Sequence, residues 1–277
     1  MKSLFLSSLL ALGLLAVPAQ AAEYPAKPIT LMTAFNAGGG SDVSHRLLEK
    51  FAKGVFDQPI VVTYKAGAGG EIGWTWLVGA KADGYNIGGV DLPHIVLQPM
   101  LRPEGQPGYK TEQLNPLCCL VFDPDILFVS EKSPFKSFGE LIEYAKANPG
   151  KVKVATVGKL TGDHLFLMQI EKLTGAKFTQ VPYSGSGKAI PALLSGEVDA
   201  YFGSGSSFLR MEKTRGLAIG SKERYELCPD VPTFIEQGYA IESGKYRGLA
   251  TPQNIPAEAR QYLETKFAEL CANPEYQ

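Results

Sequence analysis

The sequence predicts an α/β protein of two lobes, each a mainly parallel sheet flanked by helices. Three observations carry this expectation. Apolar, β-competent runs alternate with stretches of helical spacing. The alternation restarts near Ile126. The 277 residues also exceed the roughly 100–200 usual for one domain.

The first element is Ile29 to Phe35, a strand that leads into Asn36-Ala37-Gly38-Gly39-Gly40-Ser41-Asp42. Val43, Leu47, Leu48, Phe51 and Val55 then recur at helical spacing. The strand, glycine loop and helix repeat at once as Ile60 to Tyr64, Lys65 to Gly70 and Glu71 to Ala82. Asp83-Gly84 turns the chain into a strand around Tyr85 to Val90. From Ile126 the order is strand (to Val129), helix (Phe138 to Ala147), strand (Val152 to Val157) and helix (His164 to Leu173). Phe178 to Pro182 follows, then Tyr183-Ser184-Gly185-Ser186-Gly187 and a helix closed by Gly196. Val198 to Phe202 is read as a strand, Gly203 to Ser207 as a flexible polar exit, and Arg215 to Gly220 as a strand. The second unit spans about 125–240, after which the chain returns to the first. The expected domains are therefore 22–124 with 241–277, and 125–240, enclosing a cleft at the strand ends.

Residues 1–21 stand apart. Lys2 precedes the apolar run Leu4 to Val17, and Ala19-Gln20-Ala21 supplies small residues for cleavage. This reads as a removable signal that exports the chain. An exported chain permits disulfides among Cys118, Cys119, Cys228 and Cys271, and buried thiols are equally open.

Composition excludes several classes. With Lys+Arg 27 against Asp+Glu 28, the net charge of −1 gives no basic field for nucleic acid. The 45% hydrophobic content excludes disorder. His45, His94 and His164 share no helix turn and no CxxC occurs, so neither a metal site nor a cofactor is expected. Gly185-Ser186-Gly187 and Gly203-Ser204-Gly205 are not nucleophile elbows, so no catalytic residue is assigned.

Three Gly/Ser loops between strand ends and helix starts aim backbone N–H groups at one cleft, an arrangement that favours an anion. No phosphate-loop motif is present, and Asp42 beside the first loop would repel a phosphate dianion. A carboxylate, held partly through water, fits better.

These blocks carry a resemblance. Tyr24-Pro25-Ala26-Lys27-Pro28-Ile29-Thr30 with Phe35 to Asp42 resembles the opening of the tripartite tricarboxylate transporter substrate-binding proteins, or Bug receptors. Gly67 to Gly73 with Asp83-Gly84-Tyr85, Asn148 to Lys151, Val181 to Gly185, Gly196 to Asp199 and Pro229 to Thr233 with Glu236 to Tyr239 match further blocks in order.

The resemblance implies a two-lobed periplasmic binding protein, a monomer that closes on a small organic carboxylate and delivers it to membrane permease subunits. A sensor kinase as partner and a secreted α/β enzyme are the alternatives. By position, Phe35, Asn36, Ala37, Gly38, Gly39, Gly40, Ser41 and Asp42 would form the cradle, with Gly69 and Gly70 beside it. Gly158, Thr161 and His164 would face it, together with Ser184 to Gly187 and Gly203-Ser204. Asp91 and His94 are expected at a strand end on the same cleft.

Departures from the family pattern add expectations. Lys159 and Lys188 are candidates to pair with a second carboxylate. Trp74 and Trp76, at i and i+2, cannot share a helix face, so one is expected in the core. Family members normally continue past a helix like the one before Gln277, so the chain is read as cut or as a shorter form.

Overall fold

The computed structural model describes residues 23–103 and 108–276. The leader expected over 1–21 lies outside the described residues. Strand β1 (Ile29–Thr33) is almost wholly buried, as its run of Ile, Leu and Met requires. It pairs in parallel with β2 (Ile60–Tyr64) and β3 (Asn86–Leu92). Helix α1 (Gly40–Ala52) lays Leu48 and Ala52 on this sheet, and α2 (Glu71–Val78) buries Trp74 and Leu77.

A 17-residue strand, β4 (Leu114–Ser130), passes from one half of the molecule to the other. Its first part runs antiparallel to β9 (Gly244–Pro252), which also borders β3. Its second part, Asp125 to Ser130, runs antiparallel to β7 (Ala200–Ser204) and β8 (Thr214–Ile219). Beyond β7 lie the parallel strands β5 (Lys153–Thr156) and β6 (Thr179–Pro182). Helices α4 (Phe138–Ala147), α5 (Gly162–Thr174) and α6 (Ser186–Ser195) cover the second half. Helix α8 (Ala257–Cys271) returns to the first, where Leu263, Phe267 and Leu270 pack with Ile29 and Leu31. Two lobes, each with its own apolar core, thus share β4.

Four departures have physical reasons. The exit after Phe202 is not flexible: Ser204 ends β7 and Gly205–Phe208 forms a short helix, α7, with Ser204 and Ser207 buried. Its polar groups are met internally, since Asp123 accepts from the Ser206 backbone N–H at 3.0 Å and Ser204 bonds Ser207 at 3.0 Å. Helix α3 (His94–Leu101) was not anticipated, because Pro93 and Pro99 punctuate its sequence. The first part of β4 carries Asn115, Pro116, Asp123 and Pro124, and β9 begins Gly-Lys-Tyr-Arg, so neither shows apolar alternation. Trp74 is the core tryptophan, donating to Gly89 O at 3.1 Å, while Lys65 lies over the half-buried Trp76. Cys228 is buried, Cys118 half-buried and Cys119 exposed, and none of these three is in a disulfide.

Candidate functional site

The lobes touch across the cleft through their glycine loops. Asn36 Nδ2 donates to Ser184 Oγ at 2.5 Å, and Arg210 donates to Gly38 O at 3.1 Å. Gln98 of α3 donates to the carbonyls of Lys159 and Leu160, each at 3.0 Å. Glycine is needed where these loops meet. A Cβ on Gly187 would drive into Ala37 O, and one on Gly158 would lie 2.9 Å from the Gly69 Cα.

Between these contacts is a cavity at the start of α1. Asp42 does not face it as a ligand. Its carboxylate accepts from the Gly38 N–H at 2.7 Å and from the Tyr64 hydroxyl at 2.5 Å, which fixes the first loop. The free N–H groups of the first helical turn are left toward the cavity. Ser41 lines it and donates to Asp91 Oδ1 at 2.8 Å.

The crossing strands supply the charge. Lys245 and Arg247, two apart on β9, point to one face and are each only 4% exposed. Arg247 Nη1 lies 2.5 Å from Asp123 Oδ2, and its Nε lies 3.3 Å from Asp91 Oδ1. A Cβ on Gly40 would meet the guanidinium at 2.5 Å, so glycine there lets the cation lie against the helix start. Lys245 pairs with Asp125 and, at 2.8 Å, with Asp163 of α5. The cluster thus holds four carboxylates and two cations.

The surroundings set the protonation. Burial alone would lower the Lys245 ammonium, but Asp125 and Asp163 outweigh it and hold the group above its ordinary value. Burial pushes the Asp125 carboxyl up to about 7 against the pull of Lys245. Burial also raises Asp91. It acts on Asp123 the same way, but Arg247 and Ser206 overcome it and keep that carboxyl below the usual range. His94 is pushed down to about 3, chiefly by burial, and is neutral at physiological pH.

The cavity between the lobes thus has a buried cation against a helix start. The profile of the tripartite tricarboxylate transporter family receptor matches residues 45–277. The chain belongs to this family. The receptor is 35% identical to BugT of Bordetella pertussis over 233 residues, which are 81% of this chain and 70% of that protein. The periplasmic binding protein BugD is 28% identical and superposes with a TM-score of 0.82, over 92% of this chain and 86% of that one. MatC from Rhodopseudomonas palustris, solved with bound malate, is 26% identical with a TM-score of 0.83, over 91% and 87% of the two chains.

In this receptor the expected site residues divide between two places. Phe35, Gly39, Gly40, Ser41, Asp91, His94, Gly185, Ser186 and Ser204 line the central cavity. Gly69, Gly158, His164 and Ser184 line a second, outer opening between the lobes, with Lys159 and Arg102. There the His164 ring accepts from the Leu160 N–H at 3.3 Å. The remaining expected residues shape the loops. Ala37 and Gly38 pack on Gly187, Gly70 packs under the Trp74 ring, Gly203 packs on the Tyr201 ring, and Thr161 caps α5. Lys159 and Lys188 are exposed.

Val157, Tyr201, Lys245 and Arg247 line the cavity without having been anticipated. A signal for the last two was present. Asp123-Pro-Asp125 and Lys245-Tyr-Arg247 are i, i+2 pairs of opposite charge, and they become informative once the two segments are paired antiparallel.

Proposed function

We propose that the protein captures a small organic carboxylate in the periplasm, between lobes 22–124 with 241–277 and 125–240, and presents it as a monomer to the membrane subunits of a tripartite tricarboxylate-type transporter. One observation carries the reading. Arg247 lies against Gly40, so a guanidinium and the N–H groups of the first turn of α1 converge on the same cavity. That donor set matches a carboxylate oxygen pair. The malate held by MatC supports the same chemical class for this relative. The central cavity takes the carboxylate, and the outer opening at His164 belongs to the closing contacts. The lobes swing about Pro124-Asp125 and Ser243-Gly244, where β4 and β9 cross.

Thermal unfolding against a panel of carboxylic acids tests this, using protein refolded from denaturant to remove carried-over ligand. An acid at one hundred times its Kd adds about 2.7 kcal/mol. A rise in Tm confined to a few acids is expected. A cooperative transition that no acid shifts would overturn the reading.

A further inference from the structure

His94 is the first residue of α3, 1% exposed, with its ring edge-on to Phe35 at a centroid distance of 5.9 Å. Its Nε2 faces Asp163 Oδ1 at 3.8 Å. A carboxylate on that side keeps the proton of the neutral ring on Nε2, which leaves Nδ1 an acceptor. Nδ1 is buried and has no hydrogen-bond partner among the described residues, yet the ring lines the central cavity. A buried acceptor without a donor is costly.

Asp91 lines the same cavity and is 3% exposed. It is one of the cluster's four carboxylates, which stand against only two cations, Lys245 and Arg247. A ligand that brought only carboxylate groups would add to this acid excess and leave Nδ1 unmet.

We propose that His94 and Asp91 form a donor-recognising corner of the cavity, so that the preferred ligand is a small carboxylate bearing a hydroxyl or ammonium group rather than the unsubstituted acid. This rests on the carboxylate reading above and narrows it. Both substituents donate a hydrogen bond to Nδ1 or to the Asp91 carboxylate. The ammonium also offsets the acid excess, which makes it the better fit of the two.

The test is calorimetric titration of the intact mature protein with matched trios. These are propionate, lactate and alanine; succinate, malate and aspartate; glutarate, 2-hydroxyglutarate and glutamate. Within at least one trio a substituted acid should bind tighter than the unsubstituted one by about tenfold or more. Tightest binding by the amino acid identifies the ammonium as the donor, and tightest binding by the hydroxy acid identifies the hydroxyl. His94→Leu, checked for folding by circular dichroism, should shrink the ratio between substituted and unsubstituted acids. The wild-type trios decide the matter if that variant does not fold. Equal affinities within every binding trio would overturn the donor corner and leave the carboxylate reading standing. Binding by no member of any trio would overturn both.

Discussion

Arg247 is held by Asp91, Asp123 and the Ser41 hydroxyl, all of them buried. Arg247→Met would leave two carboxylates without their cation. Loss of one partner from a buried pair costs about 3–5 kcal/mol, and urea denaturation should show a loss of this order. Adding Asp123→Asn removes one of the stranded charges, so the double variant should be more stable than the single one.

His45 offers a second test at this scale. It is buried, its Nδ1 lies 2.7 Å from Thr33 Oγ1, and burial pushes it down to about 4. The folded value lies below the unfolded value of about 6.5. The stabilisation from the neutral ring is therefore complete above that pH and is lost as pH falls below it. At pH 5 the loss is about 2 kcal/mol relative to pH 8. The pH dependence of unfolding should be shallower by this amount in His45→Gln.

The first loop was legible as a strand-to-helix turn because a string of Gly, Ser and Asp follows an apolar strand and precedes helical spacing. Lys245 and Arg247 were not, because alternate charges on a short strand ordinarily mark a solvent face. Only the pairing of β9 with the Asp123 stretch of β4, and the ion pairs to Asp123 and Asp125, show that they point inward.

Beside the side-chain contacts across the cleft, some elements meet there backbone to backbone, and α6 is the clearest case. Gly187→Ala places a methyl group against Ala37 O, which belongs to the opposite lobe and has no side chain to move aside. The variant should fold normally and bind its ligand at least about tenfold more weakly, because closure is obstructed while each lobe stays intact. Gly139→Ala is the comparator. It lies in α4 with only Ser137 Oγ near, at 3.9 Å. It should leave affinity unchanged and add roughly 0.5–1 kcal/mol of stability. Circular dichroism and titration separate the two outcomes.

Most βα units were readable from their periodicity, as β1 with α1 and β5 with α5 illustrate. The elements that were missed interrupt that pattern with buried charge or with proline. Helix α3 carries Pro99 inside it, and β4 carries Pro116 and Pro124. Their conformation comes from long-range pairing, which no local window contains.

At the scale of the whole molecule, the described contacts hold the lobes together around the cavity. Ligand-free protein should gain a larger radius of gyration when Asn36–Ser184, Gln98–Lys159 and Arg210–Gly38 part. Small-angle scattering should then show compaction on adding a ligand found in the thermal panel, and an unchanged radius would argue against hinge closure. The strand shared by both lobes also dictates an order of assembly. Arg247 and Asp123 are 124 positions apart in sequence, and β3 and the first part of β4 both wait for β9 to come between them. The sheet of β5, β6 and β7 forms within one contiguous segment, while the first lobe keeps an open seam until the sequence-distant β9 arrives. Pulse-labelled amide exchange during refolding should therefore protect Val154 and Phe202 before Val90 and Leu249. The central cavity, lined by Lys245 and Arg247 of that last strand, is then completed only after the second lobe's sheet exists.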